Sequence, residues 1–207
     1  MTSKLTIGIV DYGVGNLASV RHALRMMDYR CRVANSLEAL AQSDLLLLPG
    51  VGAFPPAMAA LHAQGFAEFV REQALDGKPV IGICLGMQLL GDSSTETRLT
   101  AGLGLIPGKV EALAAPGWHI GWNRLEVTNN DPMFACGDGQ ELYFNHSYSL
   151  HTPVEYQSAV ARLDDLGRTF TVAVRRNNVV GLQFHPEKSQ AAGRQLLASV
   201  IEGLAHA

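Results

Sequence analysis

Cysteine is scarce in this chain. Its three thiols, Cys31, Cys84 and Cys136, stand far apart and are odd in number. That excludes a disulfide framework and any Cys-x-x-Cys metal site, and reduced thiols fit a cytoplasmic setting. Charge is thin as well. Charged residues make up 17% and the net charge is −3, which leaves no electrostatic footprint for nucleic acid. No apolar run approaches the length of a membrane span, and Met1–Lys4 carry no signal-peptide core. Internal repeats and low-complexity segments are missing too. Apolar residues are plentiful, at 47% of 207 positions. A chain of that size can bury its own core without disulfides or metal and reads as a single domain over residues 1–207.

The pattern of elements is that of an α/β protein. A strand near Leu5–Val10 leads to a helix over Leu17–Met27, then to a strand near Arg30–Ala34. A strand at Leu45–Leu48 precedes helical stretches over Pro56–Leu75, and a strand at Val80–Ile83 feeds another helix. After Gly102 the chain turns β-rich, with runs near Lys109–Ala112, Arg124–Thr128, Leu142–Asn145, Tyr156–Arg162, Phe170–Arg175 and Val179–Phe184. A last amphipathic helix spans Ala191–Leu204, with Leu196, Leu197, Val200 and Ile201 on one face. Alternating strands and helices predict a central, mostly parallel sheet with helices on both faces and added antiparallel strands.

Three segments carry chemistry. Val80–Leu90 runs from an apolar strand through Gly82-Ile83-Cys84-Leu85-Gly86 into a helical pattern. This is a thiol version of the nucleophile elbow, with glycines at the sharp turn and the Leu85 N–H facing any oxyanion formed on Cys84. Peptide dipoles at the start of a helix favour a negative charge there. Val179–Glu187 is a strand-like run ending in His185-Pro186-Glu187. In extended chain His185 and Glu187 share a face, which suits a carboxylate that orients an imidazole. Asp44–Phe54 closes a buried strand with Pro49-Gly50-Val51-Gly52. That loop frees backbone N–H groups, among them that of Val51, as a second oxyanion donor.

Together these segments resemble the class I (triad) glutamine amidotransferases, a family of flavodoxin-like α/β fold. Further matches are Asp11-Tyr12-Gly13-Val14-Gly15-Asn16-Leu17, Gly102–Gly108, Gly121-Trp122-Asn123, Tyr143–Tyr148 and Gln183–Ser189. They are similar to one branch, the glutaminase subunits of imidazole glycerol phosphate synthase. The resemblance runs from about residue 5 to the C-terminus. It implies Cys84 as nucleophile, His185 as base and Glu187 as its partner. Gly50, Val51, Gly52 and Leu85 match the oxyanion region. Gln88, Glu96, His146, Ser147 and Tyr148 match residues that bind glutamine. Tyr143 and Lys188 match positions near the mouth of an ammonia passage, and Asn16 and Trp122 lie on the side that faces a partner. The chain departs from the branch around Arg98-Leu99-Thr100 and in Trp118-His119-Ile120.

The resemblance implies hydrolysis of L-glutamine to glutamate and ammonia without metal or cofactor. The ammonia would pass to a (β/α)8 cyclase subunit, in a heterodimer, for synthesis of imidazole glycerol phosphate and aminoimidazole carboxamide ribotide. Two other readings use the same residues. A free-standing cysteine hydrolase of γ-glutamyl or peptide bonds would need the triad and no partner. A flavodoxin-like interaction module would not need Cys84. One motif misleads: Gly13–Ala18 fits the Gly-x-Gly-x-x-Ala dinucleotide loop, but no acidic residue closes the second strand, which reads Val33-Ala34-Asn35-Ser36.

Overall fold

The computed structural model describes residues 5–114, 117–163 and 167–206; Met1–Lys4, assessed above for a signal core, lie outside them. Five strands form the parallel part of the main sheet: β1 (Thr6–Val10), β2 (Arg30–Ala34), β3 (Leu45–Gly50), β4 (Val80–Cys84) and β14 (Val179–Leu182). In space they run β2-β1-β3-β4-β14. The sheet continues antiparallel through β13 (Thr169–Arg176), β12 (Gln157–Arg162) and β9 (Glu126–Val127). A two-stranded ribbon pairs β8 (His119–Arg124) with β10 (Glu141–His146), and a small sheet holds β5 (Ser93–Ser94), β6 (Thr100–Ala101), β7 (Lys109–Ala112) and β11 (Tyr148–His151).

Why β3 is a run of leucines follows from its position. Leu45 and Leu47 pack on one face of the sheet, with Leu24, Leu197 and Val200. Leu46 and Leu48 pack on the other, with Phe54, Leu61 and Val70. A strand buried on both faces has no polar side, and each such leucine contributes about 2 kcal/mol of burial. The first face is covered by α1 (Leu17–Met26) and α6 (Gln190–Ala205), the second by α2 (Leu37–Ala41), α3 (Phe54–Ala63), α4 (Phe66–Leu75) and α5 (Leu85–Leu89).

The helical stretch expected over Pro56–Leu75 is two helices, because Gly65 adopts φ 71° between them. Helix α2 was not anticipated; its five residues are too few to show a 3.6-residue period. The strand expected at Arg124–Thr128 is split, with β8 ending at Arg124 and β9 beginning at Glu126. The Val179 strand ends at Leu182, two residues earlier than expected.

Candidate active site

The parallel strands deliver their carboxyl ends to one edge, and the chemistry gathers there. β4 ends at Cys84, whose backbone is held at φ 54°, ψ −113°. A non-glycine residue in that region costs about 1–3 kcal/mol and persists only where its surroundings enforce it. Gly86 is part of the enforcement. A Cβ on it would collide with the Leu48 carbonyl oxygen, so α5 can press against β3 only with glycine at that position.

The Pro-Gly-x-Gly loop comes alongside through sheet register, because Gly50 of β3 pairs with Cys84 of β4. Val51 and Gly52 continue beyond it into the cleft, Gly52 at φ 96° and Val51 41% exposed. Tyr12, buried behind the loop, donates its hydroxyl to the Pro49 carbonyl at 2.8 Å. Burial, and then the nearby Cys84, raise its phenol well above the usual tyrosine range.

His185 is placed by β10 rather than by β14. Its N–H donates to the Tyr143 carbonyl at 2.9 Å, and its own carbonyl accepts from Ser189 Oγ at 2.7 Å. Ser189 Oγ in turn accepts from the Tyr143 N–H at 2.9 Å. His185 Nδ1 lies 2.9 Å from Glu187 Oε1, with both side chains buried. Burial acts to lower the His185 pKa. Hydrogen-bond and charge attraction to Cys84 and Glu187 outweighs it and raises the imidazole to about 9. His185 and Cys84 line the same cleft, of about 310 Å³.

Gln88, Glu96, His146, Ser147, Tyr148 and Lys188 line that cleft too. Gln88 Nε2 donates to the Tyr148 carbonyl at 2.9 Å. Glu96 Oε2 accepts from the Phe54 N–H at 2.7 Å, which satisfies the first turn of α3 from a distance. His146 is buried among aromatic rings; burial pushes its imidazole down to about 4, so it is neutral, with Nδ1 toward the Tyr148 carbonyl at 2.9 Å. Lys188 Nζ sits 5.8 Å from the Tyr143 ring centre, and Trp122 meets Tyr143 edge-on at 6.0 Å. Ribbon register puts Trp122 opposite Tyr143 and Ile120 opposite Asn145, with Trp122 and Ile120 47% and 62% exposed. Asn16 caps α1, its Oδ1 accepting from the Ser19 N–H at 3.4 Å.

Reasoning from the sequence missed two contacts of Cys84. Its Sγ lies 3.9 Å from the Asn145 carbonyl and 3.9 Å from Gln183 Nε2. Gln183 stood next to His185-Pro186-Glu187, but in a strand-like run nothing marked it as more than a strand residue. The dinucleotide-like loop holds an Asx turn, with the Gly13 N–H donating to Asp11 Oδ1 at 3.2 Å. Among the described residues no group of three His, Cys, Asp or Glu is placed to hold a metal ion, and no helix is long and apolar enough to cross a membrane.

The family model for glutamine amidotransferase class-I matches residues 8–201. This chain belongs to that family. Within it, the imidazole glycerol phosphate synthase subunit HisH of Symbiobacterium thermophilum is 45% identical over 93% of this chain and 92% of its own length. The HisH subunit of Syntrophotalea carbinolica is 43% identical over 92% and 97%. Among solved structures, a glutamine amidotransferase crystal structure aligns with TM-score 0.75 at 21% identity, covering 97% of this chain and 99% of that one. The PurLQS structure from Thermotoga maritima aligns with TM-score 0.75 at 20% identity, covering 98% and 100%. At that identity the structures speak for the fold, a class I amidotransferase sheet flanked by helices.

Proposed function

We propose that this amidotransferase is the glutaminase subunit of an imidazole glycerol phosphate synthase in histidine biosynthesis, and that Cys84, His185 and Glu187 hydrolyse L-glutamine. The observation that carries the reading is a strained thiol at the end of β4 sharing a cleft with a buried His185–Glu187 pair. Near-full-length identity to HisH subunits supports it.

The Cys84 thiolate attacks the carboxamide carbon, and the C=O electrons move to oxygen. The N–H groups of Leu85 and Val51 hold that oxyanion, each contact being worth about 3 kcal/mol in such sites. His185, held as the cation, protonates the leaving nitrogen as the C–N bond breaks. Ammonia departs and a thioester remains. Water then attacks the thioester and gives its proton to His185, and glutamate leaves with the thiolate restored. Glu187 keeps the imidazole oriented and stabilises its cation. Glu96 meets the substrate α-ammonium with the carboxylate oxygen that Phe54 does not use, and Ser147 and Tyr148 hold the substrate backbone groups.

Ammonia serves as a nucleophile only while unprotonated, so its consumer must sit against the cleft. The partner is a (β/α)8 cyclase subunit, joined in a heterodimer over the face that bears Val51, Trp122, Asn16, Tyr143 and Lys188. The exposed Trp122 and Ile120 support this, because a large apolar row at the surface calls for a cover. Free thiols at Cys31, Cys84 and Cys136 suit the cytoplasm.

The test uses the assembled synthase with Cys84→Ala. Glutamine-dependent synthesis is expected to vanish while synthesis from added ammonium salt persists. Retained glutaminase activity in that variant would overturn the assignment.

A further inference from the structure

Gln183 lies behind the nucleophile and is 0% exposed. It belongs to a chain of hydrogen bonds whose direction is set from one end. The backbone carbonyl of Tyr148 can only accept. It accepts from His146 Nδ1 at 2.9 Å and from Gln88 Nε2 at 2.9 Å. The NH₂ group of Gln88 must therefore point inward, and it also donates to Gln183 Oε1 at 3.1 Å. An amide carries its oxygen on one side and its NH₂ on the other. With Oε1 turned to Gln88, Gln183 must show Nε2 on its other side, and that atom is 3.9 Å from Cys84 Sγ. One main-chain carbonyl thus dictates the orientation of two side-chain amides in series.

Two chemical consequences follow. The sulfur faces a donor, a contact that tightens as negative charge develops on it. Gln88 has both amide hydrogens engaged, so only its Oε1 is left for a ligand in the cleft. An oxygen there can accept from the N–H of a carboxamide, whereas a carboxylate has nothing to donate and is repelled. Were the second hydrogen unclaimed, the Gln88 amide could also donate to a carboxylate.

We infer that Gln183 is a positioning residue that takes up the second Gln88 hydrogen, so that Gln88 meets the cleft only as an acceptor and the cleft prefers the amide substrate over the acid product, and that it presents a donor to Cys84. This rests on the reading of Cys84 as the nucleophile.

The test compares Gln183→Met and Gln183→Glu in the assembled synthase, with Cys84→Ala alongside. Two quantities are read: the pH profile of Cys84 alkylation by iodoacetamide, followed by mass spectrometry, and the ratio of the glutamate inhibition constant to the glutamine KM. Gln183→Met removes both contacts. Its alkylation profile should move to higher pH by about half a unit or more, and the ratio should fall roughly 3- to 10-fold, the scale of one lost hydrogen bond. Gln183→Glu keeps an acceptor for Gln88 and sets a carboxyl group against the sulfur. Its ratio should stay near that of the unsubstituted synthase, while its alkylation profile moves further up than in Gln183→Met. Unchanged profile and ratio in both variants would overturn the inference, provided Cys84→Ala has lost glutaminase activity. Glutaminase activity surviving in Cys84→Ala would instead sink the nucleophile reading beneath it. Should Gln183→Met fail to associate with the cyclase subunit, Gln183→Glu decides alone, an unshifted profile counting against the inference.

Discussion

The Tyr12 hydroxyl reaches from beyond the end of β1 to the Pro49 carbonyl at the end of β3, 2.8 Å away and out of contact with solvent. Tyr12 therefore ties down the stem of the loop whose Val51 N–H is assigned to the oxyanion. Beyond that stem the loop turns through Gly52 at φ 96°.

Tyr12→Phe would strand that carbonyl in a dry site. A buried acceptor without a partner costs about 1–3 kcal/mol. Urea unfolding of the full chain should show a loss of that size. A midpoint equal to that of the unsubstituted chain would mean the tie contributes nothing.

Glu187→Gln keeps the shape of the pair and removes its charge. The Nδ1–Oε1 contact of 2.9 Å joins two buried side chains, so little solvent screens the effect. Glutamine-dependent turnover in the assembled synthase should fall by about 10²- to 10⁴-fold, as expected when an imidazole loses its orienting carboxylate. Synthesis from added ammonium salt should not change. Turnover within a factor of two of the unsubstituted synthase would remove Glu187 from the mechanism.

Stability should depend on pH from both sides. His146 has a folded pKa of about 4, below the ordinary 6.5. Between those values the unfolded chain binds the proton and the folded chain does not. The contribution of His146 is therefore complete above about 6.5 and is lost as pH falls toward 4, by about 3 kcal/mol. His185 runs the opposite way. Its folded pKa of about 9 makes its contribution complete below about 6.5 and lost as pH rises through 9. Urea midpoints measured from pH 4 to 10 should form a dome, and Cys84→Ser, which removes the sulfur that helps raise the His185 pKa, should weaken the alkaline limb. A flat profile across that span would contradict both assignments.

Much of the scaffold was legible because its periods are strong. The double-faced leucines of β3 and the Leu196–Ile201 stripe of α6 could hardly be read otherwise. Of the ribbon, β10 was legible at Leu142–Asn145, but β8 was not. Gly121 and Asn123 interrupt the apolar alternation of β8, and its outward residues Ile120 and Trp122 break the rule that strands show polar side chains to water. Both runs of the triad were visible as local turns, Gly-x-Cys-x-Gly and His-Pro-Glu. The ties that aim His185, from Tyr143 and Ser189, have no local mark at all.

Local chemistry in the chain determined the strand-to-elbow turn at Cys84 and the strand-ending proline after His185, since these depend on backbone sterics among near neighbours. Tertiary structure alone decided that Gly50 pairs with Cys84, that Glu96 caps α3, and that the Tyr148 carbonyl orients Gln88 and Gln183 toward the sulfur. Such hydrogen bonds join groups as many as 99 positions apart, and their direction is settled by which main-chain carbonyl folding brings to meet them.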